Sequence, residues 1–413
     1  MPNLSPFRGI RYDLDALDAA LDDLTAPPYD VIDDEARASL EAAHSHNAVH
    51  LLLPRDSGAG VGDRYDIAGE LFRSWRRTGA LVEDTERFYL YKMGFTDDDG
   101  RPRQTSGVFG ALGLGHAGEG QILPHERTMP KPKSDRLDLL RATRANLDPI
   151  WGITLASGFS GLLEPDGPPI ARCTDAEGVH HRLYAIDAAG RIAAIREAVA
   201  SQPLLIADGH HRYETALAYR EDRANCDDPA SETILAFITE LADDQLCVRP
   251  IHRLISGQPQ GVSLRDWLAS HFDVVSTGPN TPDELASLYG RMGEAEALGF
   301  IDSEGLALLR RRKEVCAPLL SEMPEVLRDV DAALFDAAIA KRLPAEHMEV
   351  SYQHDFHTVA ALVAKGHFDA GVLLRPVTVA QIQLAAMQQV RMPEKTTFFH
   401  PKPRGGMVFR GLD

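Results

Sequence analysis

The sequence predicts an α/β protein of mixed α+β type that is divided into several domains. Its 413 residues exceed the size at which one hydrophobic core usually stops growing. Apolar runs of strand length, such as 203–207, alternate with segments in which apolar residues recur at helical spacing, such as 65–78. A stretch rich in Gly, Pro and Asp at 160–180 indicates a boundary. We therefore predict domains at 1–160, 161–258 and 259–413.

The elements are predicted in order from periodicity and from turn residues. In the first domain we expect helices at 34–44, 65–78 and from 134 onward, and strands at 88–94 and 107–114, with 46–54 as a loop that enters a strand. In the second we expect strands at 179–186, 203–207, 234–241 and 246–250, and a helix at 188–200. In the third we expect helices at 264–271, 282–293, 331–340, 356–365 and 379–389, and strands at 298–302, 306–310, 350–354, 370–374 and 406–410.

Charge and cysteine usage exclude several classes of protein. The formal net charge is −18, whereas proteins that bind a nucleic-acid backbone usually present a basic surface, so we expect no nucleic-acid partner. We expect no membrane partner either, because no apolar run approaches the roughly 20 residues that span a bilayer. Four scattered cysteines without a CxxC pair argue against zinc and, with no secretory signal evident, predict a cytoplasmic protein. The sequence does not fix the oligomeric state, and a homodimer is compatible with it.

The segment around residue 208 carries the main functional motif. Between the strand at 203–207 and a helix expected from Tyr213 stand five polar or glycine residues, Asp208, Gly209, His210, His211 and Arg212. A glycine bend before a helix is suited to bind an anion, because the first N–H groups of the helix lack internal partners. Arg212 offers a planar fork for phosphate oxygens, and the two histidines add donors. Asp208 can hold a metal ion or take a proton.

Two other segments are dense in polar side chains. The Pro-rich loop 121–136 supplies the cations Lys131, Lys133 and Arg136 and a candidate acid/base pair, His125 and Glu126. The tail 392–402 carries Lys395, Thr396 and Lys402, which either bind phosphate oxygens or belong to a strand that packs the tail onto the core. Asp30, after a rigid Pro-Pro pair, either faces a ligand or caps the following helix. The pair His252–Arg253 is expected at the surface rather than in the pocket.

The motif Asp-Gly-His-His-Arg at 208–212 resembles the signature of the free serine kinases, which belong to the ParB/sulfiredoxin-like superfamily. Members of that superfamily hold a nucleotide phosphate on a Gly-x-x-Arg turn before a helix. Nearly the whole chain also resembles a bacterial family known as a domain of unknown function. That resemblance rests on Pro-Pro-Tyr-Asp at 27–30, His-Glu-x-Thr at 125–128, Ala-Asp-Gly-His-His-Arg-Tyr-Glu at 207–214 and Met-Pro-x-Lys-x-Thr-x-Phe at 392–399.

The kinase resemblance implies a ParB/sulfiredoxin-like core at 161–258 and an ATP-dependent kinase acting on a small hydroxyl compound. The implied acceptor is free L-serine, the product O-phospho-L-serine, and the cofactors are ATP or ADP with Mg²⁺. Phosphates would be held by Gly209, His210, His211 and Arg212, with Lys131, Lys133, Arg136, Lys395, Thr396 and Lys402 closing over them. Asp208, also the candidate Mg²⁺ ligand, or Glu126 would take the acceptor proton. His125 and His210 complete the catalytic set.

Two other functions remain open. The chain has neither a Walker A motif nor the protein-kinase motifs, so its phosphate turn differs from the common ones. A nucleotide-binding sensor without turnover would use the same turn. A metal-dependent phosphohydrolase would use His210 and His211 with Asp208 and Glu126, although adjacent histidines suit a shared metal less well than i, i+4 spacing.

Overall fold

The computed structural model describes residues 1–56, 63–98, 100–115, 121–126 and 134–413. These residues form a mixed α/β fold with several sheets, as the sequence predicts. The chain divides into two compact units. The first comprises Met1–Pro124, Thr128–Cys247 and Pro401–Asp413, and the second comprises His125–Arg127 and Val248–His400. The three-domain division with boundaries near 160 and 258 stays a prediction.

The strands of the described residues are numbered in chain order. They are β1 (Leu4–Ser5), β2 (Gly9–Tyr12), β3 (Leu81–Glu83), β4 (Phe88–Thr96), β5 (Pro102–Gly113), β6 (Ile122–Pro124), β7 (Ala145–Asn146), β8 (Ile150–Thr154), β9 (Ala171–Thr174), β10 (His180–Ile186), β11 (Leu204–Asp208), β12 (Thr233–Glu240), β13 (Cys247–Pro250), β14 (His252–Ser256), β15 (Phe272–Gly278), β16 (Ala297–Asp302), β17 (Gly305–Arg311), β18 (Glu349–Gln353), β19 (Ala370–Leu373), β20 (Thr397–His400) and β21 (Phe409–Gly411).

The α-helices of the same residues are α1 (Leu14–Leu17), α2 (Leu21–Leu24), α3 (Asp34–Ala43), α4 (Val49–Leu52), α5 (Asp63–Thr78), α6 (Ser134–Thr143), α7 (Ala189–Ala200), α8 (His210–Asp222), α9 (Leu264–Leu268), α10 (Pro282–Glu294), α11 (Lys313–Leu320), α12 (Asp331–Ala338), α13 (Phe356–Ala364) and α14 (Val379–Met387). Short 3₁₀ turns stand at Tyr29–Val31, Phe159–Leu162, Pro229–Glu232, Glu325–Leu327 and Ala340–Arg342. Within the described part of the chain, no helix is long and apolar enough to cross a bilayer.

A nine-stranded sheet forms the core of the first unit. Its order is β6-β11-β8-β12-β5-β4-β10-β9, and β1 also pairs with β5. Strand β12, which has a neighbour on each side, reads as a nearly continuous apolar run and is buried along almost its whole length. Helices α7 and α8 pack on the sheet through Ile195, Val199, Tyr213 and Ala216, which belong to one apolar cluster with the strand residues. The sheet therefore fixes the start of α8.

The C-terminal tail returns to the first unit. A second sheet of this unit has the order β3-β2-β21-β7, so the tail strand β21 lies between two partners. Phe409 in β21 is fully buried and meets the rings of Tyr12 and Phe72 edge-on. The expected tail strand at 406–410 is thus present with shifted bounds, and residues 401–413 are held in place by packing.

The second unit is built on a six-stranded sheet with the order β15-β17-β16-β19-β14-β18, in which all neighbours are antiparallel. Helices α10 and α13 cover it through residues such as Leu285, Leu288 and Val359. Strand β20 pairs with β13, all of which except Cys247 belongs to this unit. Residues 397–400 of the tail therefore form a strand, which is one of the two alternatives predicted for this segment.

Three local predictions are wrong. Residues 46–54 contain the helix α4 rather than the entry to a strand, because a short apolar run such as Leu51–Leu53 suits a buried helix as well as a strand. Helix α8 begins at His210, three residues earlier than expected, because Gly209 already supplies the bend. The pair His252–Arg253 is not at the surface, since each residue is only 1% exposed.

Candidate active site

The strand, bend and helix around Gly209 are arranged as an anion site requires. Strand β11 ends at Asp208, α8 begins at His210, and Gly209 between them has φ +86° and ψ +27°. Glycine adopts this left-handed conformation with little strain. A Cβ atom at Gly209 would lie 3.0 Å from Nε of Arg212, so the bend also packs closely under this guanidinium. The N-terminus of α8 therefore opens directly beside a cation.

A β-bulge near the end of β11 changes the direction of the strand. The pairing of β11 with β8 shifts register between Ile206 and Asp208, and Asp208 stands opposite Trp151. Bulges bend a strand locally and change the direction of the next side chain. Because β8 runs antiparallel to β11, the start of β8 lies at the same sheet edge as the end of β11. Asp148 and Pro149, which precede β8, are therefore brought to the bend.

Two cations converge on Asp208. Arg212 Nη2 donates to Asp208 Oδ2 at 2.6 Å, and Lys402 Nζ donates to Asp208 Oδ1. Arg212 Nη1 also donates to the carbonyl of Pro149. Lys402 Nζ lies 3.9 Å from Asp30 Oδ2 as well. Lys402 of the tail thus lies at the bend. Arg212, four residues after Asp208, contacts the same carboxylate.

These contacts determine the protonation of Asp208. Burial raises the pKa of its carboxyl, but Lys402 and Arg212 outweigh burial and hold the pKa well below its usual range. Burial lowers the pKa of Lys402, and Asp208 and Asp30 more than restore it, so the amine stays protonated. Because Asp208 binds a proton so weakly, it is a poor general base in this arrangement. It is well suited to orient the two cations.

A cleft opens beside Arg212. It has about 470 Å³ of empty volume, part of which is open to solvent, and its wall is mainly apolar, with Leu52, Leu139, Leu140, Leu147 and Ile234. Its charged residues are Arg136, Asp148 and Arg212. Arg136 lies over the ring of Tyr29 at 4.4 Å and donates to the carbonyl of Leu52 at 2.8 Å. An apolar cleft with few convergent charged groups is the usual form of a small-molecule site.

Asp30 does not cap the next helix. Asp33 caps α3 by accepting from the N–H of Ala36 at 2.8 Å, whereas Asp30 is exposed in the turn Tyr29–Val31. A ligand-facing role for Asp30 stays a prediction. Among the described contacts, Asp30 is near Lys402 Nζ.

The second polar cluster lies in the second unit. Thr397 Oγ1 and the Thr397 N–H both donate to Glu126 Oε1, at 2.6 and 2.8 Å, and His125 Nε2 lies 2.8 Å from Thr397 Oγ1. His125 and Glu126 are themselves 3.1 Å apart. Arg253 donates to the carbonyl of Lys395 at 2.9 Å. The predicted His-Glu pair is thus engaged with the tail loop.

The predicted site residues are distributed between the two units. The structure brings together Asp208, Gly209, Arg212, Lys402 and Arg136 in the first unit. In the same unit the charge of His210 contributes to lowering the pKa of Asp208, and His211 is half-buried in the first turn of α8. His125, Glu126, Lys395 and Thr396 belong to the second unit, where the Thr396 hydroxyl donates to Pro393 O at 2.8 Å. Lys131 and Lys133 lie outside the described residues.

The sequence reasoning missed Asp148. This residue is 7% exposed, and neither of its carboxylate oxygens has a hydrogen-bond partner among the described residues. An Asp-Pro pair before a strand carries no recognisable motif, so no sequence signal marked it. Elsewhere in the described part of the chain, no three His, Cys, Asp or Glu side chains are grouped so that they could hold a metal ion.

Comparison with known proteins gives one family match. The family model described as "Protein of unknown function (DUF1015)" matches residues 4–334. No protein with a curated function matches the sequence.

Several solved structures are distantly similar. A free serine kinase in complex with AMP is 12% identical, with a TM-score of 0.38 over 71% of this chain and 87% of that chain. A conserved hypothetical protein from Pyrococcus furiosus is 12% identical, with a TM-score of 0.36 over 74% and 95% of the two chains. SbnI with a C-terminal truncation, from Staphylococcus aureus, is 12% identical, with a TM-score of 0.37 over 73% and 86%. Similarity this distant supports no conclusion about activity.

Proposed function

The chain belongs to the DUF1015 family, and we propose that it is an ATP-dependent kinase that phosphorylates the hydroxyl group of a small molecule. The observation that carries the proposal is the convergence of Arg212 and Lys402 at the glycine bend that starts α8. Phosphoryl transfer depends on positioning the substrates and on neutralising the charge of the transferred group. In this proposal the N–H groups at the start of α8 position the phosphates, and the two cations neutralise their charge. The ParB/sulfiredoxin-like core, with this turn as its phosphate site, is part of the same proposal.

In this proposal the nucleotide phosphates bind the first N–H groups of α8. Arg212 and Lys402, which Asp208 holds in place, contribute the charge, and His210 and His211 add donors. A carboxylate that orients two cations before the ligand arrives reduces the reorganisation needed on binding. The proposal keeps Arg136 as a further phosphate-binding cation, together with Lys131 and Lys133, which lie outside the described residues. The apolar wall of the cleft suits a base or another apolar part of the ligand.

Asp208 is the proposed protein ligand of Mg²⁺. Nucleotide-bound Mg²⁺ commonly uses only one or two carboxylates together with phosphate oxygens and water. Arg212 donates to one Asp208 oxygen and Lys402 to the other, and a carboxylate oxygen has two lone pairs, so one further bond to a hydrated ion fits. The ion would neutralise charge on the phosphates.

We propose free L-serine as the acceptor because the motif at 208–212 resembles that of the free serine kinases. His125 and Glu126 hold Thr397, and in this proposal they position the loop that carries Lys395 and Thr396. The product is O-phospho-L-serine. The proposal also places the reaction in the cytoplasm.

The direct test is turnover. Purified protein is incubated with ATP, Mg²⁺ and L-serine, and with a panel of other small hydroxy acids, while ADP and phosphorylated products are measured by ³¹P NMR and mass spectrometry. We expect ADP and phosphoserine in equal amounts. Arg212→Lys, which loses the planar fork, should reduce the rate at least tenfold. Arg223→Lys is the matched control, because Arg223 caps the other end of α8 and pairs with Asp228 at 3.0 Å.

Other outcomes would change the assignment. Nucleotide binding without ADP formation would favour a sensor. Phosphate release that needs no acceptor would favour a phosphohydrolase, and so would tightly bound zinc or iron in the purified protein. A rate that falls equally in Arg212→Lys and Arg223→Lys would separate the activity from the bend.

A further inference from the structure

Asp148 is a buried carboxylate at the edge of the cleft. Among the described residues neither of its oxygens has a hydrogen-bond partner, and only 7% of the residue is exposed. One oxygen packs so closely on Gly405 that a Cβ there would collide with it. Asp148 also lines the cleft that contains Arg212 and Arg136. One oxygen of the carboxylate is therefore confined by Gly405, and the residue lines the candidate binding space.

Such an arrangement is costly for the free protein. An ionised carboxylate that is buried without hydrogen bonds loses its hydration, and the guanidinium groups of Arg212 and Arg136 offset only part of that loss. An apolar or amide side chain of similar size would usually be more favourable at the same place. Costly features of this kind call for an explanation, and a place in a functional site is a common one. A ligand in this cleft would have to bring a hydroxyl or ammonium hydrogen to Asp148.

The charges around Asp148 suit proton transfer. Its pKa is raised to about 6, because burial and the carboxylate of Asp30 raise it by more than the guanidinium groups of Arg212 and Arg136 lower it. The pKa of Asp208, in contrast, is held low because Lys402 and Arg212 donate to its oxygens. A general base works best when its pKa lies near the working pH. Of these two carboxylates at the same sheet edge, Asp148 meets that condition.

The geometry also links Asp148 to the phosphate site. Arg212 donates one hydrogen bond to Asp208 and another to the carbonyl of Pro149, the residue directly after Asp148. The same guanidinium lines the cleft with Asp148. A hydroxyl acceptor in the cleft would therefore lie beside both Asp148 and Arg212, and a carboxylate oxygen of Asp148 must turn toward the cleft to accept its proton.

We propose that Asp148 is the general base that accepts the proton of the acceptor hydroxyl, in place of Asp208 or Glu126. This inference rests on the proposed kinase function. The acceptor oxygen forms a bond to the γ-phosphorus of ATP while its proton moves to a carboxylate oxygen of Asp148. The bond from the γ-phosphorus to the bridging oxygen breaks, and that oxygen leaves with ADP. Asp148 then releases the proton to solvent, so the carboxylate is regenerated in each turnover.

The test is the pH dependence of phosphoryl transfer. Rates with ATP and L-serine, or with the acceptor that the turnover screen identifies, are measured from about pH 4.5 to 9 for the natural protein and for Asp148→Asn. We expect kcat/KM for the acceptor to fall below about pH 6 in the natural protein. In Asp148→Asn, kcat should fall about 10²- to 10⁴-fold, the acidic limb should vanish and KM for ATP should change less than about threefold.

Two further variants make the result decisive. Asp138→Asn removes a half-exposed carboxylate of α6 that pairs with Arg141, and it should keep the natural rate and profile. Asp148→Glu keeps the acid and should retain a shifted acidic limb, which decides the matter if the Asn variant does not fold. If Asp148→Asn keeps its rate and its acidic limb while the protein phosphorylates its acceptor, Asp148 is not the base and the kinase function stands. If the natural protein phosphorylates no hydroxyl compound, both proposals fail.

Discussion

Gly209 serves the site in two ways that can be separated experimentally. Its φ of +86° strains any other residue, and a Cβ would press on the guanidinium of Arg212. Gly79 has nearly the same φ, +82°, but no atom lies within 4 Å of its Cβ position. The pair therefore separates backbone strain from displacement of Arg212.

We expect Gly209→Ala and Gly79→Ala each to lower the free energy of unfolding by about 1–2 kcal/mol. Only Gly209→Ala should also weaken ATP binding, by about tenfold, because it displaces the phosphate-binding cation. Urea unfolding and isothermal titration calorimetry measure the two effects. Equal affinities in the two variants would show that the position of Arg212 does not matter for the nucleotide.

Asp148 should also leave a signature in stability. Its pKa is about 6 when folded and near 3.8 when unfolded, so the folded state binds more protons between these values. The penalty for the buried charge is therefore fully present above about pH 6 and disappears as the pH falls through about 4. We expect Asp148→Asn to be more stable than the natural protein by about 1–3 kcal/mol at pH 7.5, with the difference shrinking toward pH 4.5. Urea unfolding at both pH values measures this, and a less stable Asn variant at pH 7.5 would contradict it.

The sequence can point to a candidate site where its residues are contiguous, but not where distant segments assemble it. The Asp-Gly-His-His-Arg motif is visible because strand, bend and helix follow one another in the sequence. Asp148 was not visible, because its burial depends on Gly405 and its place at the bend depends on the pairing of β8 with β11. The contact of Lys402 with Asp208 joins distant parts of the chain in the same way.

Arg404 anchors the element that carries Lys402. It is 8% exposed, and it donates to the hydroxyl of Thr25 at 2.9 Å and to the Thr25 carbonyl at 2.8 Å. The backbone N–H of Arg404 lies 3.3 Å from the hydroxyl of Tyr91. These contacts fix the backbone near Lys402, which lies two residues before Arg404.

We expect Arg404→Met to lower the free energy of unfolding by about 2–4 kcal/mol, since it leaves buried acceptors without donors. It should also weaken ATP binding several-fold, although Arg404 has no contact with Asp208 or Arg212 among the described ones. Arg265→Met is the control, because it breaks a half-buried ion pair with Asp302 in the second unit. Thermal unfolding and calorimetry test both. Unchanged affinity in folded Arg404→Met would mean that the tail does not need this anchor.

At the scale of elements, long periodic segments were predicted well and short apolar runs were not. Helix α5 buries Ala68, Phe72 and Trp75 at helical spacing, so its period is evident. Helix α4 has only four residues, and its apolar run contains no period to distinguish helix from strand. Strand β20 has Thr397 and Phe398 in a turn-rich tail, and only its pairing with β13 defines it.

At the scale of the whole molecule, the charge balance predicts which polymers the protein avoids. The chain has 61 acidic and 43 basic residues, and the cations of the site are each set against carboxylates. We expect no binding to duplex DNA or RNA at about 0.1 M salt, because binding to a nucleic-acid backbone needs a basic surface. Fluorescence anisotropy with labelled duplexes measures this. Salt-sensitive binding with micromolar affinity would contradict it.

The division into units could not be predicted in full from the sequence. The composition shift at 160–180 suggested a boundary, yet residues 401–413 belong to the first unit and 125–127 to the second. The return of a distant segment to a unit depends on tertiary packing, for example of Phe409 against Tyr12. No local sequence pattern predicts it. This is also why Lys402 meets a motif some two hundred residues earlier.

The central claim is that Lys402 and Arg212 at the start of α8 bind the phosphates of a nucleotide. Calorimetric titration of ATP with Mg²⁺ into Lys402→Met, into Lys365→Met and into the natural protein tests it most directly. Lys365 is an exposed lysine at the end of α13 and serves as the control. We predict at least tenfold weaker binding for Lys402→Met and natural affinity for Lys365→Met. Equal ATP affinity in all three proteins, each shown to be folded, would contradict the claim.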